Sequence, residues 1–390
     1  MSNTAILRLV LSQISIPFKV KFRHASAERT ETSSIWVEAI SSDGVTGYGE
    51  SCPRPYVTGE TIETAQGFFS RYQNKICNEI DSLSTMHQWM VKYQIELNAN
   101  PAAWCAIELA ILDMLAKQEG KTIESFLEIS PLQGSYQYSA VLGDADVVSF
   151  KSSLAQYLHQ GFTDFKVKLS GNLERDQVKI AEIRKCKNNA LSVRVDANNL
   201  WSSSGEAIAY LRLLDFPFFA VEEPLKPNSY SELAVIAEVL HCKIILDESF
   251  LRIEQFAKLE QSPNSWLINL RVSKMGGLLR SLAIIESART LGIALIVGAQ
   301  VGETSLLTRA GLAAAQAARD ILKAQEGAFG THLLEKDICD LPLMFTKAGL
   351  LDCSKYPELN APGFGITLSK KLDFISPTHS SKKTGVNNGF

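Results

Sequence analysis

Several charged residues recur at a near-constant interval in the middle of the chain: Lys166 and Lys168, Asp196, Glu222 with Glu223, Asp247, and Lys274. The steps are 28 residues (168 to 196), 26 (196 to 222), 25 (222 to 247) and 27 (247 to 274). Each group closes a short apolar string: DFKVKLS, LSVRVDAN, FFAVEEPL, KIILDES and WLINLRVSK. Strands of a parallel sheet are normally uninterrupted apolar runs because both faces are buried, so charges at their ends call for an explanation. A single such residue is an ordinary solvated strand end or a rim ion pair. Six in phase on consecutive strands are a constellation.

The chemistry follows from the residue types. Lys166 and Lys168 lie two apart and point to the same side of their strand, with Val167 on the other. Asp196, one of the glutamates at 222 and 223, and Asp247 come from neighbouring strands about 5 Å apart. Carboxylates that converge so closely raise one another's pKa unless a cation neutralises them. An all-oxygen set suits Mg²⁺ rather than zinc, which prefers His or Cys. Lys168 and Lys274 then flank the ion, and a lysine beside a cation loses basicity until it works as a base near neutral pH. Two bases on opposite faces of one carbon, with a metal on the adjacent carboxylate, suit proton removal and return through an enediolate.

The elements that must position these groups can be read from the surrounding pattern. From about Tyr136, short apolar strings alternate with helix-length segments, beginning at YSAVLG and continuing through ALIVGAQ to GAFGTHLL. Such alternation means right-handed βαβ units and a parallel sheet, and eight units close a barrel with its active face at the strands' C-terminal ends. No GxGxxG follows a strand to suggest a dinucleotide fold instead. Before this, Ala5 to Phe22 and Ser34 to Glu50 read as strands, the second broken at Ser42-Asp43-Gly44 by a hairpin turn. Helical spacing runs from Thr61 to about Lys117, making an α+β unit. The expected divisions are 1–132 (α+β), 133–340 (barrel), 341–375 (irregular) and a polar, disordered tail at 376–390.

Composition narrows the classes. With 390 residues, 46% hydrophobic and 21% charged, the chain is that of a folded globular protein of more than one ordinary core. A net charge of −3 without a basic cluster argues against nucleic acid and anionic membranes as partners. No apolar run approaches a membrane span, and the N-terminus lacks the pattern of a signal peptide, so a cytoplasmic protein is expected. Seven dispersed cysteines without a CxxC pair read as buried reduced thiols.

The strings FKVKLSG, RVDAN, VEEP, LDES and RVSKMGG, in this order, together with GYGESCPRPYVTGET and AIELAILDMLAK, resemble the enolase superfamily, in its muconate-lactonizing and dipeptide-epimerase subgroup. The resemblance covers nearly the whole chain. It implies a modified TIM (β/α) barrel with an α+β capping domain built from the N-terminal part plus a C-terminal segment. It also implies Asp196, Glu222 and Asp247 as ligands of Mg²⁺ (with Mn²⁺ able to substitute), Lys168 and Lys274 as the acid/base pair, and Lys166 as the lysine that tunes its neighbour and contacts the bound carboxylate. The partner is a small-molecule carboxylate, and barrels of this superfamily are frequently homo-oligomers.

Two departures bear on the substrate. Arg271 stands where family members often carry another lysine, and the Asp-x-Asp pair that dipeptide epimerases use for the substrate amino group is missing from EGAFGTHLLE. Glu326 is the residue nearest to that role. In FRHASAERTETSS and SCPRPYVTGE, which the resemblance implies are capping loops closing over the barrel mouth, His24, Arg29, Arg54 and Tyr56 are candidates to touch the distal part of the substrate. After the seventh strand, Gln300, Glu303 and Thr304 are candidates to line the pocket. The activity implied is a racemase or epimerase of a dipeptide or N-acyl amino acid. A lyase or cycloisomerase using the same enediolate, like o-succinylbenzoate synthase or muconate cycloisomerase, is the alternative, and a non-catalytic binding protein on the same scaffold is the third reading.

Overall fold

The computed structural model describes residues 6–24, 27–186 and 191–380, with side chains left out at 21–28 and 377–380. The N-terminal strands are β1 (Ile6–Ile14), β2 (Pro17–His24), β3 (Ala27–Glu31), β4 (Ser34–Ser41) and β5 (Thr46–Ser51). Helices α1 (Ile62–Glu79), α2 (Leu83–Lys92), α3 (Gln94–Ala99), α4 (Pro101–Gln118) and α5 (Ile123–Phe126) follow. The expected turn after β4 forms, with Gly44 at φ 87° and Ser41 N–H bonded to Val45 O.

Helix α4 explains how this unit meets the rest. Every residue from Pro101 to Ala116 is buried, as the all-round apolar sequence AAWCAIELAILDMLA requires of a helix covered on all sides. One side lies on β4 and β5, the other on the helices that follow the sixth barrel strand. Gly49 permits the close approach: a Cβ there would sit 1.9 Å from Ala106 O. Each fully buried Leu or Ile on α4 contributes about 1.5–3 kcal/mol of transfer free energy.

The second unit contains β6 (Ser135–Gln137) and the barrel strands β7 (Ala140–Leu142), β8 (Asp164–Lys168), β9 (Ser192–Asp196), β10 (Ala220–Glu222), β11 (Lys243–Leu246), β12 (Trp266–Leu270), β13 (Ala294–Val297) and β14 (Leu322–Gln325). Between them run α6 (Val147–His159), α7 (Leu173–Arg184), α8 (Ser204–Leu214), α9 (Tyr230–Leu240), α10 (Val272–Met275), α11 (Leu278–Leu291) and α12 (Ser305–Ala317). The eight strands pair in parallel in sequence order from β7 to β14. The two edges meet where Ser139 N–H donates to Gln325 O at 2.8 Å. Ala220, Ile245, Leu267, Ile296 and Ala324 fill part of the interior as a small apolar plug separate from the main core.

The chain then returns to the first unit. Gly363 O accepts from Ile123 N–H, Phe364 N–H donates to Asp113, β15 (Leu350–Asp352) pairs with β6, and β16 (Ile375–Ser380) pairs antiparallel with β1. The four-stranded capping sheet therefore has the order β16-β1-β4-β5.

Three expectations need correction. The tail does not begin at 376: Ser376 to Ser380 complete β16, because pairing with the open edge of β1 uses backbone groups and needs no apolar side chains, while residues 381–390 lie outside the described region. The eighth strand is Leu322–Gln325, not GAFGTHLL, where Gly327, Ala328 and Gly330 adopt φ of 101°, 51° and 45° that no strand tolerates. The stretch FRHASAERTETSS is largely a β2–β3 hairpin rather than a loop.

Candidate active site

The register of the barrel sets the site. Lys168, Asp196 and Glu222 are lateral neighbours across β8, β9 and β10, and Glu222 pairs in turn with Ile245 of the interior plug. Asp247 lies one residue past the end of β11 and comes to the same mouth through Arg271, which pairs with it and lies 3.9 Å from Glu222. All four charged groups are buried, between 1% and 7% exposed. Backbone shape separates the two glutamates. Glu222 ends β10 facing the interior, whereas Glu223 bends away at φ 38° and accepts hydrogen bonds from Asp247 N–H (2.7 Å), Ser249 N–H (2.7 Å) and Ser249 Oγ (2.8 Å). Glu223 thereby fixes the turn that presents Asp247.

Cations are threaded through the carboxylates. Lys166 Nζ lies 3.2 Å from Asp196, 2.7 Å from Glu222 and 3.3 Å from Glu326. Burial disfavours its charge, but those three carboxylates outweigh burial and hold the ammonium up. Lys168 lies beside it with less support: 3.8 Å from Asp196 and 3.1 Å from Asn198 Oδ1. Burial pushes it below the ordinary lysine value, with Lys166 adding repulsion against the pull of Asp196. A lysine depressed in this way is the kind that serves as a base. Burial works against charge on Asp196 and Asp247 as well, yet Lys166 and Lys168 hold the first below its usual range, and Arg271 and Lys274 the second. Glu222 goes the other way, pushed up to about 8 by burial and by Asp196, Glu326 and Asp247 in spite of Lys166.

Lys274 is not placed as strand alternation suggests. The strand ends at Leu270, and Lys274 sits in the single turn α10, where Nζ donates to Asp247 O (2.7 Å), Asp247 Oδ1 (2.9 Å) and Asn269 O (2.6 Å). Three acceptors use all three protons of its charged form, which burial disfavours here as it does at Lys168. Its side chain braces Asp247 from behind. The residue that follows Leu267 and Asn269 on the inner face of β12 is Arg271, which pairs with Asp247, lies 3.9 Å from Glu222 and donates to Gln300 Oε1 at 3.1 Å. Gly298 makes room for it: a Cβ there would be 2.1 Å from Asn269 Oδ1 and 3.2 Å from Arg271 Cγ.

As donors, Asp196, Glu222 and Asp247 fit a hard divalent cation. They are three oxygen donors, on β9, on β10 and just past β11, and among the described residues Glu222 Oε2 accepts no hydrogen bond although Lys166 Nζ is 2.7 Å away. Among the described residues they do not converge on one point, because Lys166 and Arg271 stand between them.

The remaining candidates divide. Gln300 is at the mouth against Arg271, and its N–H donates to Glu303 Oε1 at 2.6 Å. Burial pushes Glu303 up to about 7. Thr304 faces the capping unit instead, with N–H and Oγ1 both bonded to Glu50 and its side chain capping α12. Arg54 is fully buried and bonds the carbonyls of Ser33, Pro53 and Val301, which makes it a tie between cap and barrel. Arg29 is half-buried against Tyr56, its guanidinium lowered by burial and then by the like charge of Arg54. His24 lies on β2, with its side chain outside the described region. Burial pushes the Cys52 thiol up to about 12, which removes it as a nucleophile.

Sequence reasoning missed Arg194. It lies two residues before Asp196, points inward, and bonds Asp164 (2.6 Å), Ser139 Oγ (2.9 Å) and Glu326 (2.8 Å). The period of two along RVD was the available signal.

The family model described as enolase C-terminal domain-like matches residues 149–372, more than half of the chain, and includes Lys166, Lys168, Asp196, Glu222, Asp247, Arg271 and Lys274. The chain belongs to the enolase C-terminal domain-like family. It is an enzyme of the enolase superfamily. The hydrophobic dipeptide epimerase of Enterococcus faecalis is 25% identical over 321 residues, 81% of this chain and 88% of the relative. The N-succinyl-L-Arg/Lys racemase of Bacillus cereus is 24% identical over 94% of this chain and 96% of the relative. In fold, the muconate lactonizing enzyme from Pseudomonas fluorescens superposes with a TM-score of 0.83 at 22% identity, covering 95% of this chain and 98% of that one. No helix among the described residues of this superfamily member is long and apolar enough to cross a membrane.

Proposed function

We propose that this enzyme removes the proton on the carbon next to a substrate carboxylate, through an enediolate, as a racemase or epimerase of an N-acyl amino acid or dipeptide. The observation that carries the reading is the pairing of a depressed lysine, Lys168, with a row of buried carboxylates at the active end of the barrel. Neutral Lys168 Nζ would take the α-proton while the C–H electron pair moves into the carboxylate. Lys166, held charged, would stand beside the developing negative charge. Asp196, Glu222 and Asp247 would hold Mg²⁺, which when bound stabilises charge on the substrate carboxylate oxygens.

Within this class, an acylated nitrogen fits better than a free ammonium. Glu326, the acidic group nearest the expected amine site, spends Oε1 on Arg194 and Oε2 on Lys166. The N-succinyl amino acid racemase among the relatives supports the same choice. A lyase or cycloisomerase is the second reading, favoured by Lys274, whose protons are all engaged and which leaves Lys168 as the one accessible lysine base among those predicted. The chain would work as a soluble, cytoplasmic homo-oligomer.

The test is incubation with Mg²⁺ in D₂O and separate pools of dipeptides, N-succinyl and N-acetyl amino acids, following α-proton loss by mass spectrometry. Uptake in an N-acyl pool that vanishes in Lys168→Ala is the expected result. No uptake from any pool, with metal bound, removes the racemase reading.

A further inference from the structure

We infer that Arg271, not Lys274, meets the substrate from the side opposite Lys168, and that proton removal is confined to the Lys168 face. This rests on the enediolate reading above. Lys168 closes β8, and Arg271 extends β12 by one residue with extended backbone (φ −120°, ψ 121°). In a sheet ordered from β7 to β14, these strands are four positions apart, half the circumference of an eight-stranded barrel. Asp196, Glu222 and Asp247 occupy the arc between them on β9, on β10 and just beyond β11. Lys168 and Arg271 are therefore the two flanks of the carboxylate row.

Arg271 is built into the mouth. It continues the inner face set by Leu267 and Asn269, Gly298 leaves space for its stem, and Gln300 and Asp247 orient its head. Its Nε is buried and has no hydrogen-bond partner among the described residues. Lys274, three residues on, is turned by α10 toward the backbone oxygens of Asp247 and Asn269. To act on a carbon it would have to abandon three hydrogen bonds inside a closed cage.

A guanidinium offers planar donors suited to carboxylate oxygens but no lone pair to accept a proton. Lys168 Nζ takes the α-proton, the C–H electron pair passes into the carboxylate, and Arg271 donates hydrogen bonds to the resulting anion. The Lys168 ammonium trades protons with solvent before one is returned to the carbon, so exchange outruns inversion, and the racemase or epimerase turnover proposed above proceeds only when the enediolate presents its other face to Lys168.

The test follows each antipode of an N-succinyl and an N-acetyl amino acid separately in D₂O with Mg²⁺, reading α-deuterium by NMR and inversion by chiral chromatography. One antipode is expected to exchange about a hundredfold faster than the other, the scale of a positioned base. Arg271→Lys, which installs an amine on the second face, should narrow that gap, whereas Lys274→Met, which loosens Asp247, should lower the exchange of both antipodes together without narrowing it. Equal exchange of both antipodes, with Lys274→Met silencing one of them, overturns the inference. If no substrate exchanges in any variant, the enediolate reading fails, and Arg271 is judged by calorimetric binding of the N-succinyl amino acid alone. A loss of about tenfold in affinity (about 1.4 kcal/mol) in Arg271→Met that exceeds the loss in Lys274→Met sustains its place at the substrate. The reverse pattern overturns it.

Discussion

Two sets of buried carboxylates in this molecule are handled in opposite ways. At the barrel mouth, Asp196, Asp247 and Glu326 are matched by lysine and arginine heads that overcome burial and keep them ionised. At the seam between cap and barrel, burial pushes Glu50 up to about 8 and Glu108 up to about 7, with no cation in contact among the described ion pairs. There the oxygens accept from helix N-termini: Glu50 from Thr304 and Leu307 at α12, and Glu108 from Leu279 at α11. The first arrangement concentrates charge where a substrate anion and a metal would need it. The second uses the acceptor capacity of a carboxyl and the positive end of a helix to fasten two units together.

The largest expected effect is on the mouth. Lys168→Ala should lower α-proton exchange about 10³-fold or more, within the range for loss of a positioned base, while circular dichroism and the unfolding midpoint change little. Recovery of the wild-type rate in that variant would assign the base elsewhere. Asp247→Asn removes the partner of Arg271 and Lys274 together. It should destabilise the fold by about 3–5 kcal/mol in urea titration, because two buried cations lose their counter-charge.

At the seam the effects should be smaller and of another kind. Glu50→Ala leaves Thr304 N–H, Thr304 Oγ1 and Leu307 N–H without their acceptor, and should cost about 1–3 kcal/mol by the same titration. A loss as large as that of Asp247→Asn would erase the distinction between the regions. Glu108 gives a pH signature. Its folded value near 7 lies above the ordinary 4.5, so the folded state binds more protons between those values. Stability from this group is therefore present below about pH 4.5 and falls by about 3 kcal/mol as pH rises through 7. Glu108→Gln should flatten the decline of the melting temperature between pH 5 and 8 relative to the unmodified chain. An unchanged slope would mean that Glu108 ionises normally.

How much of this was legible in the sequence depends on how far local rules reach. The steps from 168 to 247 placed four groups at one end of successive strands, because one βα unit has a nearly fixed length and the strand period is two. The same rule failed at Lys274, since the chain leaves β12 after Leu270 and turns into α10, where a period of two no longer holds. It could not separate Glu222 from Glu223 either, because the positive φ of Glu223 is a property of the assembled barrel end. Glu50 was beyond reach, as its partner Thr304 lies 254 residues away and nothing local announces a carboxylate destined for a helix end. The barrel and its cap were legible from alternation and from the resemblance. The eighth strand was not, because LKAQ is too short and too polar to stand out.

The most direct test of the contrast is calorimetric titration of Mg²⁺ into the purified protein and four variants: Asp196→Asn, Asp247→Asn, Glu50→Gln and Glu108→Gln. The account predicts that binding is lost or weakened about a hundredfold in the first two and unchanged in the last two. Binding that survives Asp196→Asn and Asp247→Asn at full affinity, or that disappears with either seam variant in a folded protein, would contradict it.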